Sequence, residues 1–273
     1  MSKNNSKGGS LGAALQSTFT VLAIVVAFII GFVVFKFVFG NPVNFEGGNN
    51  KGMPLNGNLL GTIYKGGMIV PFLIGLNLLV IIFSIERAIT LIRAKGRGRI
   101  NVFVKNLQNL LDSDKIEDAV TSCDKQRGSL ANVMKAGLLR YRTLQHDPIL
   151  VKDQKILALQ KEFEEASALE LPMLSRNLVI LSTIASISVL TGLMGTVLGM
   201  IKAFAALATA GSPDALALAT GISEAVVNTA FGIFGSLIAI VMYNYFSTQI
   251  DNFTYKIDEA GFSLVQSFAA GAK

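Results

Sequence analysis

The 273-residue chain has no tryptophan, one histidine and one cysteine, and only 15% of its residues are charged. A lone Cys123 and a lone His146 cannot build a disulfide framework. They also leave too few ligands for a zinc or iron centre, so no metal and no other cofactor is expected. No nucleophile, phosphate-loop or metal motif is visible, which argues against an enzyme. The net charge is +6, yet the basic residues crowd beside apolar runs and lack an aromatic platform, so nucleic acid is not an expected partner. What is abundant is apolar surface: 51% of residues are hydrophobic and the mean hydropathy is +0.53, values of an integral membrane protein.

In chain order the pattern predicts an all-α membrane protein with four transmembrane helices and a helical cytoplasmic insert. Residues 1–10 read as a disordered cytoplasmic tail. Residues 11–39 read as an uncleaved first transmembrane helix with Lys36 reaching the interface. A Pro-, Gly- and Asn-rich outer loop fills 40–66, and a second span, 67–85, ends at Glu86-Arg87. The basic cluster from Arg87 to Arg99 then places the next segment in the cytoplasm; it can act as a topology signal or attract anionic membrane lipids. Residues 86–175 read as cytosolic helices, with Asp114 and Glu117 spaced as a capping box and a helix from Ile149 opened by Asp147-Pro148 and ended by Pro172. A third span, 176–206, runs outward, and 207–218 is the outer turn, where Ser212 as cap and Pro213 as first helical residue would open the returning helix. The fourth span is 219–246, followed by a cytoplasmic helix over 247–273, so both termini are expected inside.

The last two spans carry polar residues that hydrocarbon disfavours unless they face protein or water. Gly192, Gly195, Thr196 and Gly199 share one face of the outgoing helix; Ala225, Thr229, Gly232 and Ser236 share one of the returning helix, with Glu224 and Asn228 beside it. Such faces serve close helix packing. Depth adds more: at 1.5 Å per residue, Thr196 lies about 12 Å and Thr229 about 15 Å below the outer ends of their spans, so both hydroxyls can face one space. The same register sets Lys202 opposite Glu224 near the outer mouth, where they either pair or each reach interfacial water. Lys202 and Asn228 are candidate mouth residues. Because threonine does not titrate near neutral pH and no acid lies deeper than Glu224, a proton path here needs a carboxylate from another subunit.

At Gly192-Leu-Met-Gly-Thr-Val-Leu-Gly-Met200, Gly221-Ile-Ser-Glu-Ala-Val-Val-Asn-Thr-Ala-Phe-Gly232 and Tyr243-Asn244 the sequence resembles the MotA/TolQ/ExbB proton-channel family, ExbB/TolQ branch. The resemblance spans about Leu171 to Asp251. It implies a homopentameric ring in the bacterial inner membrane around a single-span ExbD- or TolR-like partner whose membrane aspartate meets Thr196 and Thr229, with Glu224 near the outer mouth. It further implies that proton motive force energises a TonB- or TolA-like protein. Two features depart from the branch: an added first helix, and Lys202 where a neutral residue is expected. Four spans with a large insert also resemble a flagellar MotA-like rotary stator, and a non-conducting scaffold is the remaining alternative.

Overall fold

The computed structural model describes residues 6–145, 149–208 and 214–271; among these it is helical without strands, apart from an isolated bridge between Phe45 and Pro54. Among the described residues four helical stretches are long and apolar enough to cross a membrane: Thr18–Phe39, Gly67–Asp112, Lys152–Leu207 and Ala215–Ala270. The chain divides into two compact units, Met1–Ser84 with Ile180–Tyr243, and Ile85–Val179 with Asn244–Lys273.

In the first unit, α1 (Ser6–Val33) continues into a π-helical turn, Val34–Phe39. It buries a stripe of Ala23, Ala27, Gly31 and Phe35, spaced by four, and most other large apolar side chains on it are exposed, as a lipid-facing helix requires. The helix begins at Ser6 instead of Leu11, because the apolar pattern marks where burial starts and not where helical hydrogen bonding must; residues 1–5 of the expected tail lie outside the described residues.

The segment between the first helix and the second span, expected as an outer loop, is more ordered than its loop chemistry suggests. Asn44 is buried and donates its amide to Val38 O (2.9 Å) and Phe39 O (3.1 Å), carbonyls at the end of the π-helical turn. Its Oδ1 accepts from Asn58, which in turn caps α2 (Leu59–Tyr64) by accepting from Gly61 N at 3.0 Å. Tyr64 stacks on Phe35 with ring centroids 4.7 Å apart, and Phe35, Val70 and Ile74 form a core that Val227 and Phe231 pack against.

Next, α3 (Val70–Lys95) holds Pro71 in its first turn, where a missing amide is harmless. It runs ten residues beyond the Ile85 boundary expected for the span, since Glu86 and Arg87 are compatible with helix, and it ends with Arg93 and Lys95 on the favourable side of its dipole.

The second unit contains α4 (Ile100–Asp112), α5 (Ile116–Gln126), α6 (Gly128–Gln145) and α7 (Lys152–Ser175). Leu107, Leu130, Met134, Leu138, Leu159, Ile257, Leu264 and Phe268 are buried in it, and Tyr141 meets Phe268 edge-on at 4.7 Å. The expected capping box is absent. Asp114 adopts φ 55° after α4, with Lys115 N bonded to Leu110 O at 2.8 Å, so it ends one helix instead of starting the next. Arg87, expected to belong to a topology cluster, is 1% exposed. It donates to Glu86 at 2.7 and 2.5 Å and to Leu174 O at 2.8 Å, capping the end of α7. His146 and Asp147-Pro148 lie outside the described residues; α7 starts at Lys152, after an extended Val151 whose amide Gln154 accepts, and Pro172 lies inside it.

Finally come α8 (Leu178–Leu207) and α9 (Ala215–Gly271), a continuous 57-residue helix that joins the expected fourth span and C-terminal helix. Ser212 and Pro213 lie outside the described residues. The cap is Asp214, whose Oδ1 accepts from Ala217 N at 3.0 Å, a stronger acceptor for the first free amides than a hydroxyl further back.

Candidate functional site

Within the first unit α8 and α9 touch backbone to backbone. A Cβ on Gly192 would lie 2.9 Å from Asn228 O and 3.0 Å from Gly232 Cα; one on Gly199 would lie 2.6 Å from Ala225 N, and one on Gly232 2.7 Å from Ser188 O. Gly195 faces the Asn228 side chain, 2.5 Å from where its Cβ would stand. Any larger residue would have to separate the helices.

That closeness brings the two threonines together. Their hydroxyls are in contact, either one able to donate to the other. Thr229 Oγ1 also reaches Ala225 O at 3.1 Å, and Thr196 Oγ1 lies 3.3 Å from both Gly192 O and Ala225 O. Two hydroxyl protons thus face several acceptors, so the protons can be redistributed without moving heavy atoms. Both side chains are half-buried, leaving lone pairs open to a group approaching from outside the hairpin.

Toward the turn between α8 and α9, Lys202 Nζ sits astride the Glu224 carboxylate, 2.7 Å from Oε1 and 2.8 Å from Oε2. Of the two arrangements open at the sequence level, the structure has the paired one. The pair is lopsided: the lysine side chain is 59% exposed and the glutamate side chain 7%.

Asn228, the other candidate mouth residue, is held inside the chain. It is wholly buried, and its amide donates to Gly66 O at 2.9 Å. The reason is angular: consecutive residues of a helix are about 100° apart, so Thr229 and its neighbour Asn228 face different surroundings. On the Asn228 side lie groups that the sequence reading missed. Asn77 donates to Leu73 O at 2.7 Å, and both its side chain and the fully buried Ser188 hydroxyl crowd Gly235. Asn77 in an otherwise apolar span was the available signal. Gly66 and Gly67 were also missed, because glycines in a glycine-rich loop do not stand out.

These features define a polytopic helical membrane protein whose last two spans meet along a glycine seam bearing a hydroxyl pair and an ion pair. The sequence model of the MotA/TolQ/ExbB proton channel family matches residues 125–259, and identifies this part of the chain with that family. It is 27% identical over 154 residues to the Tol-Pal system protein TolQ of Pseudomonas aeruginosa, covering 56% of this chain and 67% of the relative. It is 26% identical over 183 residues to the putative biopolymer transport protein ExbB-like 3 of Synechocystis sp., covering 66% and 81%. With the biopolymer transport protein ExbB of Salmonella typhimurium it shares 38% identity over 73 residues, 27% of this chain and 30% of that one. The alignment with TolQ of Haemophilus influenzae covers only 36% of that relative's length. Relatives named TolQ and ExbB place the chain on the ExbB/TolQ branch.

Proposed function

We propose that the chain is a proton-conducting subunit of an inner-membrane energy-transducing complex. The observation that carries this reading is the contact between Thr196 and Thr229 at one level of a hairpin whose spans hold no acid deeper than Glu224. Hydroxyls relay a proton but do not store one near neutral pH. The titrating group is therefore a carboxylate on a single-span partner of the ExbD or TolR kind, inside a homopentameric ring of this chain with both termini cytoplasmic. There the half-buried hydroxyls donate to the ionised carboxylate and accept from its protonated form, smoothing its discharge and reloading. Proton flow energises a TonB- or TolA-like protein. The chain performs no covalent chemistry.

Thr196→Val and Thr229→Val test this, because valine keeps the shape and removes the hydroxyl. Proton flux into vesicles carrying the chain with its single-span partner is expected to fall with assembly intact. Unchanged flux would overturn the reading.

A further inference from the structure

The segment joining the first helix to α3 ends in Gly66-Gly67, and α9 holds this turn from two sides. Asn228 donates its buried amide to Gly66 O at 2.9 Å. One helical turn earlier, the Glu224 carboxylate lies against Gly67, filling the place a Cβ would take. Gly67 has φ 77°, a conformation that L side chains rarely adopt, so the position needs glycine both for its backbone and for the room it gives the carboxylate. A Cβ on Gly66 would stand 2.5 Å from Val70 Cγ2 and 2.7 Å from Val227 Cγ1, so the turn has no slack. Behind it, Tyr64 is stacked on Phe35 of the π-helical turn, in the core that also takes Val227.

We propose that Gly67 is a positioning residue for Glu224: the Gly66–Gly67 turn backs the carboxylate, leaves Lys202 as its ionic partner, and makes the first helix and outer segment part of the outer mouth. A glutamate on a helix otherwise has several rotamers, and the turn removes those that would bend it away from Lys202. Lys202 supplies the attraction, and the turn supplies the direction. This rests on the channel reading only for its consequence in conduction; the geometry it claims is local.

The test compares Gly67→Ala with Gly57→Ala in membranes containing the full chain and its complex. Gly57 also has a positive φ, 79°, but a Cβ there meets nothing within 4 Å, so it controls for backbone strain alone. Labelling of Glu224 by a hydrophobic carbodiimide, which attacks a protonated carboxyl, is followed by mass spectrometry. Gly67→Ala pushes the carboxylate off Lys202, and labelling is expected to rise about tenfold, the equivalent of one hydrogen bond to a charged group. Gly57→Ala is expected to label as the parent does. Asn228→Ser, which releases Gly66 O without straining the backbone, should also raise labelling and serves if Gly67→Ala does not accumulate. In flux assays the Gly67→Ala loss should vanish on a Glu224→Gln background. Equal labelling in the parent, Gly67→Ala and Asn228→Ser, or a Gly67→Ala loss unchanged on that background, overturns the proposal. A parent complex that conducts no protons yet shows the labelling differences would instead sink the channel reading.

Discussion

Lys202 and Glu224, 22 residues apart on α8 and α9, form an ion pair in which one ammonium spans both carboxylate oxygens at 2.7 and 2.8 Å. The lysine is mostly exposed but the glutamate is buried, so Lys202→Met leaves a buried carboxylate without its cation and should cost about 3 kcal/mol of stability. The exchange Lys202→Glu with Glu224→Lys should restore part of what either single reversal loses. Thermal melting in detergent checks the first expectation and complementation the second.

The hydroxyl pair predicts a non-additive result. Thr196→Val and Thr229→Val remove opposite halves of one contact, so each should lower proton flux about tenfold, the scale of a hydrogen bond to a charged group, and the double variant should be little worse than either. Independent, multiplying losses would mean that the two hydroxyls act at separate steps.

The glycine seam predicts damage from small changes. Gly195→Ala places a methyl 2.5 Å from Asn228 Cβ and should cost about 1–3 kcal/mol by overpacking, read as a lower detergent melting temperature. Gly47→Ala adds strain at φ 74° but meets no neighbour, and should leave the seam and its flux intact.

Arg87 predicts a purely structural defect. Arg87→Ala leaves the Glu86 carboxylate with its neutral donors Thr90 and Asn177 and takes the donor from the Leu174 carbonyl, and should cost about 3 kcal/mol, the scale for breaking a buried pair from one side. Limited proteolysis of the second unit is the direct measurement.

Cys123 predicts silence. Burial, with the Asp124 carboxylate next to it, pushes its thiol up to about 12. Its reactive thiolate is therefore scarce at pH 7 to 9 in the folded chain, and maleimide should label it only after unfolding in SDS. Because the unfolded thiol ionises at a lower pH than the folded one, the same burial makes folding less stable as pH rises above the ordinary thiol value.

Much of the site was legible because it is periodic. The 3.6-residue repeat places Thr196 with Gly192 and Gly199, and an antiparallel count from the outer turn brings Lys202 to Glu224; both inferences need only helical geometry. The burial of Asn228 was not legible because depth was counted and azimuth was not, and the two are independent on a helix. The Gly66–Gly67 turn stayed hidden because its role comes from contact with α9, more than 150 residues later in the chain. Helix ends were the least legible: Asp114 and Glu117 have the spacing of a cap, but a left-handed Asp114 closing α4 satisfies carbonyls instead. The continuity of α9 was foreseen only as an extension, since no residue between Tyr243 and Ser247 either demands or forbids a break.

In the contact between Thr196 and Thr229 either oxygen can be the donor, and whichever hydroxyl is not donating to the other has Ala225 O within reach. Such a pair has no rectifying element. On the proposed channel reading it would pass charge inward or outward with the same chemistry, so a reversed gradient should drive the complex backwards, with directionality imposed by its power supply and its load.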